Sequence, residues 1–139
     1  MLSYELTHPE ILGALARAGH GSQVLISDGH FPHSTGAHPA AARVWLNLAP
    51  GVLSATEILR AVRGAITIEA ARVMAPAVPE DLPAHADFRG LLPAAVQLEA
   101  LGRWDFYDAC KQDTVALVIA SGDVRPFANI LLTLGVRTS

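Results

Sequence analysis

Two stretches, Gln23 to Ser27 and Thr114 to Ala120, are built on continuous apolar runs, Val24 to Ile26 and Val115 to Ala120, which is how strands covered on both faces read. Other segments alternate. Arg43 to Leu48 alternates in part, and Ala65 to Met74 sets Ile66, Ile68, Ala70 and Arg72 against Thr67, Glu69, Ala71 and Val73, so both are predicted strands. Val96 to Leu101 is a further strand, and Phe127 to Leu132 runs on to Gly135-Val136. Helical spacing occupies the gaps. Ile11, Leu12, Leu15 and Ala18 form one apolar face behind Thr7-His8-Pro9-Glu10, where Thr7 is the expected cap and Gly19 the expected left-handed stop. Ser54-x-x-Glu57 is a second capping box, leading Ile58, Leu59 and Val62 to Gly64. Gly102 to Cys110 reads as helical, with at least one of Trp104, Phe106 and Tyr107 in the core. The proline-rich connection from Ala75 to Pro93 is a surface segment with a turn or two of helix around His85 to Leu92. Strands alternating with helices predict an α/β fold, a single compact domain over residues 1–139.

Composition narrows the partners. At 139 residues the chain is long enough for a core of its own, and 51% hydrophobic with 17% charged residues indicates surface that associates with other copies. A net charge of −3, with one lysine among ten basic residues, offers no basic stripe and argues against nucleic acid. A single cysteine rules out an internal disulfide. The amino terminus has neither a basic start nor an apolar stretch, and no apolar run is long enough to span a bilayer. These features lead to the expectation of a cytoplasmic homo-oligomer without a membrane partner.

The chemistry gathers around the first buried strand. His20 precedes it, just beyond a helix carboxyl end where the dipole favours imidazolium, and Asp28-Gly29-His30-Phe31-Pro32 follows it. Five strand residues at roughly 3.3 Å each, Gln23 to Ser27, put about 17 Å of straight chain between the end that follows His20 and the end that precedes Asp28. One copy therefore brings both to a small molecule only if the chain folds back; otherwise a neighbouring subunit supplies one of them. The loop to Ala40 carries His30, His33 and His38, which with Asp28 raise the alternative of a metal-dependent hydrolase, although their spacing matches no closed zinc site. Glu69, on an otherwise apolar strand, reads as a rim or interface charge with an arginine partner. Ser121-Gly122-Asp123 is a second strand-exit turn of the kind that meets ligands, and a buried Asn129 would need partners.

Ala18-Gly19-His20-Gly21 with Ser27-Asp28-Gly29-His30-Phe31-Pro32, then Arg103-Trp104-Asp105-Phe106-Tyr107, then Ser121-Gly122-Asp123 with Phe127-Ala128-Asn129-Ile130-Leu131-Leu132 and Gly135-Val136, resemble the D-ribose pyranase and L-fucose mutarotase family in order over nearly the whole length. The histidine and arginine motifs are closer to the fucose branch, and Ile68-Glu69-Ala70-Ala71 is closer to the ribose branch. The resemblance implies a central mixed sheet flanked by helices. It also implies a homo-oligomer, a decameric ring or a smaller multimer, with sites at subunit boundaries. The implied activity is interconversion of monosaccharide anomers, with or without pyranose–furanose exchange, and with no cofactor or metal. His20 is the implied proton donor, with Asp28 orienting it or holding the sugar. Arg103 and the segment Phe127, Ala128 and Asn129 would bind sugar, with His30 and Tyr107 as secondary proton-transfer groups. The family usually has tyrosine where this chain has Phe127, so a non-catalytic sugar-binding module is the other alternative.

Overall fold

The computed structural model describes residues 1–138 and is built on one six-stranded sheet. In chain order the elements are α1 (Pro9–Arg17), β1 (Gln23–Ser27), β2 (Ala42–Trp45), α2 (Ala55–Arg63), β3 (Ile68–Met74), α3 (Pro83–Leu91), β4 (Leu98–Leu101), α4 (Arg103–Cys110), β5 (Val115–Ala120) and β6 (Ile130–Leu134). The strands lie in the order β2-β5-β1-β6-β3-β4. All pairs are parallel except those of β6, which runs antiparallel to both β1 and β3. The α/β class and mixed sheet expected from the sequence are thus observed.

Alternation along the buried strands sorts the core into two layers. Val24, Ile26, Leu117, Ile119, Ile130 and Leu132 point to the face covered by α1, α2 and α3, which contribute Ile11, Leu59 and Phe88. Leu25, Val118 and Leu131 point to the other face, where Phe106 and Cys110 of α4 and Phe31 of the long loop close over them. Burial pushes the Cys110 thiol up to about 12, so it is a small core residue and not a nucleophile.

Several local expectations need adjustment. The side chain of His8, not Thr7, caps α1 by accepting from the Ile11 amide at 3.4 Å. The helix leaves through Ala18 in extended conformation, and the left-handed glycine is Gly21 at φ 85°. The Ser54–Glu57 capping box forms in full at the start of α2. Of the α4 aromatics, Phe106 is buried, Tyr107 half-buried and Trp104 exposed. Phe127 lies outside β6, in a turn, and holds a left-handed conformation at φ 56°.

Candidate functional site

Because β6 runs against its neighbours, its first residues meet the carboxyl ends of the parallel strands. Ile130 pairs with Ile26, which sets Asn129 beside the exit of β1. There the Asn129 carboxamide brackets Asp28: its Oδ1 accepts from the Asp28 amide at 2.7 Å and its Nδ2 donates to Asp28 Oδ2 at 3.1 Å. The other carboxylate oxygen, Oδ1, accepts from the amides of His30 at 3.0 Å and Phe31 at 2.9 Å. Asp28 is therefore chiefly the organiser of its loop, with three of about four acceptor directions already used. Burial raises its pKa, opposed by the amides of His30 and Phe31, the positive side of His30 and the Ala128 amide.

Around this carboxylate lies a hollow of about 190 Å³ lined by Asp28, His30, Phe31, Met74, Arg103, Tyr107, Phe127 and Asn129. It is smaller than the roughly 300–1,000 Å³ of pockets for drug-sized ligands, as a small polar molecule requires. Four segments converge here, the loop after β1, the end of β3, α4 and the turn before β6, at the carboxyl edge of the sheet where open α/β folds bind ligands. The rings of Phe31, Tyr107 and Phe127 line the hollow together with the hydrogen-bonding groups of Asp28, His30, Arg103 and Asn129, a combination suited to a molecule with an apolar face and a hydroxyl-bearing edge. Ala128, expected to bind sugar, is fully buried in the core and does not line the hollow; its amide serves Asp28 instead.

His85 was not singled out by its sequence context. It is buried on α3, and its Nε2–H donates to the Phe127 carbonyl at 2.9 Å, holding the left-handed turn. Burial lowers its pKa, with the Phe127 carbonyl opposing and Arg89 assisting, which keeps the ring a neutral donor. The signal that would have found it is a lone histidine at an apolar helix position opposite a special turn.

His20 is not in this pocket. It lies at the opposite edge of the sheet, ahead of β1, with its side chain 60% exposed and Nε2 3.0 Å from Glu69 Oε2. The expected arginine partner of Glu69 is thus replaced by His20. The loop histidines also part company. His33 turns away to Ser27 Oγ at 2.8 Å, with its pKa lowered by burial, and His38 Nδ1 accepts from the Ala40 amide, leaving His30 alone at the pocket. Among the described residues no three metal-ligating side chains come together. The second strand-exit turn is closed by protein groups: Asp123 accepts from Ala55 at the start of α2 and from Arg125, whose guanidinium also reaches Asp87 and Thr56. It is a structural brace.

A model of the RbsD / FucU transport protein family matches residues 1–137. The chain is 30% identical over 131 residues to a D-ribose pyranase of Paracidovorax citrulli, covering 94% of this chain and 95% of the relative. It is 32% identical over 139 residues to an L-fucose mutarotase of Actinobacillus pleuropneumoniae, covering 92% and 90%. The structure of Bacillus subtilis RbsD complexed with D-ribose shares the fold, with a TM-score of 0.85 at 20% identity over 99% of both chains.

Proposed function

Because the chain belongs to the RbsD / FucU family, we propose that it is a sugar isomerase that interconverts the anomers of a monosaccharide by opening and reclosing the ring. The pocket at the carboxyl edge of β1 is the observation that carries this reading: a buried carboxylate, an amide, a guanidinium and a histidine lining one hollow with aromatic rings suit a small polyol. Arg103, Asn129 and His30 fix the hydroxyl pattern, and Asp28 holds the loop that presents them.

Ring opening breaks the bond between the anomeric carbon and the ring oxygen. The ring oxygen takes up a proton, the anomeric hydroxyl gives one up, and the resulting aldehyde turns before the ring closes on its other face. His20 is the group we assign to both transfers: the neutral ring takes the anomeric proton, and the resulting imidazolium delivers it to the ring oxygen. Positioned acid and base groups contribute roughly 10²- to 10⁴-fold in such transfers. Since β1 holds His20 and Asp28 at opposite ends, the working site combines the pocket of one copy with His20 of another, in a cytoplasmic homo-oligomer. Among the described residues no helix is long and apolar enough to cross a membrane.

Saturation-transfer NMR across fucose, ribose, galactose and rhamnose tests the reading. Accelerated exchange is expected for at least one sugar, lost in His20→Ala and in Asn129→Ala. Binding without acceleration would instead favour the sugar-binding module that the missing tyrosine hydroxyl at Phe127 suggests. Wild-type rates in His20→Ala would remove His20 from the mechanism.

A further inference from the structure

We propose that Glu69 is a positioning residue that holds Nε2 of His20, so that Nδ1 is the ring atom left to exchange a proton with the sugar. This rests on the reading of His20 as the acid/base group.

Three features on the amino-terminal edge of the sheet converge on this pair. The first is contact: both carboxylate oxygens of Glu69 reach His20 Nε2, at 3.2 and 3.0 Å. A carboxylate can only accept from a ring N–H, so the pair selects the tautomer protonated at Nε2 and leaves the lone pair on Nδ1.

The second is register. Ile68 pairs with Leu134 and Ala70 with Thr133, so two steps along β3 match one step along β6 and Glu69 is the extra residue. A bulge of this kind bends the strand and re-aims a side chain. Glu69, the bulged residue, is the one that meets His20.

The third is room. A Cβ on Gly135 would press on the Glu69 Cβ at 3.1 Å and the Thr67 methyl at 3.2 Å, and would come within 3.4 Å of Glu69 Oε2. The same corner is stitched by backbone bonds from Gly135 N to Thr67 O at 2.8 Å, from Gly21 N to Leu134 O at 3.0 Å and from Leu134 N to Ser22 O at 2.9 Å. The turn bearing His20, the end of β6 and the start of β3 are thus one unit. With both side chains substantially exposed, at 60% and 45%, the contact contributes little to stability, and its effect is on orientation.

The test combines heteronuclear NMR of the His20 ring with steady-state anomer exchange. In the wild-type protein the neutral ring should be protonated at Nε2. Glu69→Leu should mix the tautomers and lower kcat on the order of 10-fold with KM nearly unchanged, because a ring free to rotate is less often aligned. Glu69→Gln, which keeps an acceptor, should recover most of that loss. A wild-type ring protonated at Nδ1, or a Glu69→Leu variant with unchanged tautomer and kcat, would overturn the proposal. If no sugar is isomerised by the wild-type protein, the functional reading fails on its own, while the tautomer measurement still decides whether Glu69 holds the ring.

Discussion

Ser27-Asp28-Gly29 and Ser121-Gly122-Asp123 leave two neighbouring parallel strands at the same edge of the sheet, and each buries an aspartate at 5% exposure or less. Their surroundings differ in one respect. Asp28 meets neutral donors, the amides of His30 and Phe31 and the Asn129 carboxamide, and stands at a pocket. Asp123 meets a cation, with Arg125 donating to both of its oxygens and the Ala55 amide adding a third anchor. Burial pushes the pKa of both upward. At Asp123 the hydrogen bonds from the side chain and amide of Arg125 and from Ala55 outweigh burial and hold the carboxyl below its ordinary value, whereas at Asp28 burial prevails. At one sheet edge, the carboxylate that is hydrogen-bonded by a guanidinium closes its turn as a brace, and the one held by amides opens onto a hollow.

The largest separation of the two turns is expected from paired substitutions. Asp123→Asn should cost about 3 kcal/mol in denaturant unfolding, because the Arg125 guanidinium loses its main partner. Asp28→Asn should cost less, about 1–2 kcal/mol, because removing a charge that burial disfavours offsets part of the donor–donor clash with Asn129 Nδ2. Their effects on sugar binding, followed by titration calorimetry, should be reversed. Asp28→Asn is expected to weaken it at least about 10-fold, from mismatch with Asn129 and the loop, while folded Asp123→Asn should bind normally. Equal stability losses would erase the distinction.

Next in size are the glycines of the same two turns. A Cβ at Gly122 would collide with the Val52 and Ala49 carbonyls, whereas one at Gly29 would only crowd the Asp123 carbonyl at 3.2 Å. Gly122→Ala should therefore lower stability by about 2–3 kcal/mol and Gly29→Ala by about 1 kcal/mol or less, read from thermal melts.

The pH dependence should then carry opposite signs. The depressed pKa of Asp123 adds stability that is fully present above the ordinary carboxylate value of about 3.9 and is lost as pH falls through the folded value. The raised pKa of Asp28 makes the fold prefer its protonated form, so its contribution is most favourable below that ordinary value and declines as pH rises through the folded value. Melting curves from about pH 3 to 7 should show the stability difference between wild type and Asp123→Asn growing with pH. The difference between wild type and Asp28→Asn should shrink over the same range.

Much of this was legible in local sequence. The limits of β1 follow from a short apolar run between a glycine turn and Asp28-Gly29, and the Ser54–Glu57 box is a contact between residues three apart. What escaped is what depends on long-range partners. Asp123 looked like a ligand residue because Arg125, close in sequence, reads as solvated until α2 and Asp87 are packed around it. The role of His85 requires Phe127, 42 residues away, and the pairing of Glu69 with His20 requires a bulge that alternation alone cannot register. The ruler of β1 was visible from the start because a strand's length is set by its residue count.

The smallest expected effect sharpens the pocket side of the comparison. Phe127→Tyr keeps the ring and the φ 56° turn held by His85 while adding one hydroxyl to a residue that lines the same hollow as Asp28 and Asn129. One added hydrogen bond worth about 1 kcal/mol should raise kcat/KM about fivefold, measured by the same anomer exchange.

That β1 carries a donor at one tip and a receptor at the other has a genetic corollary under the composite site. Each copy lends an imidazole and borrows one, so two defective alleles, one lacking His20 and one lacking Asn129, can rescue each other when their products co-assemble. Random mixing in equal dose would leave about a quarter of the junctions intact. A single chain bearing both lesions would instead spoil two junctions at once.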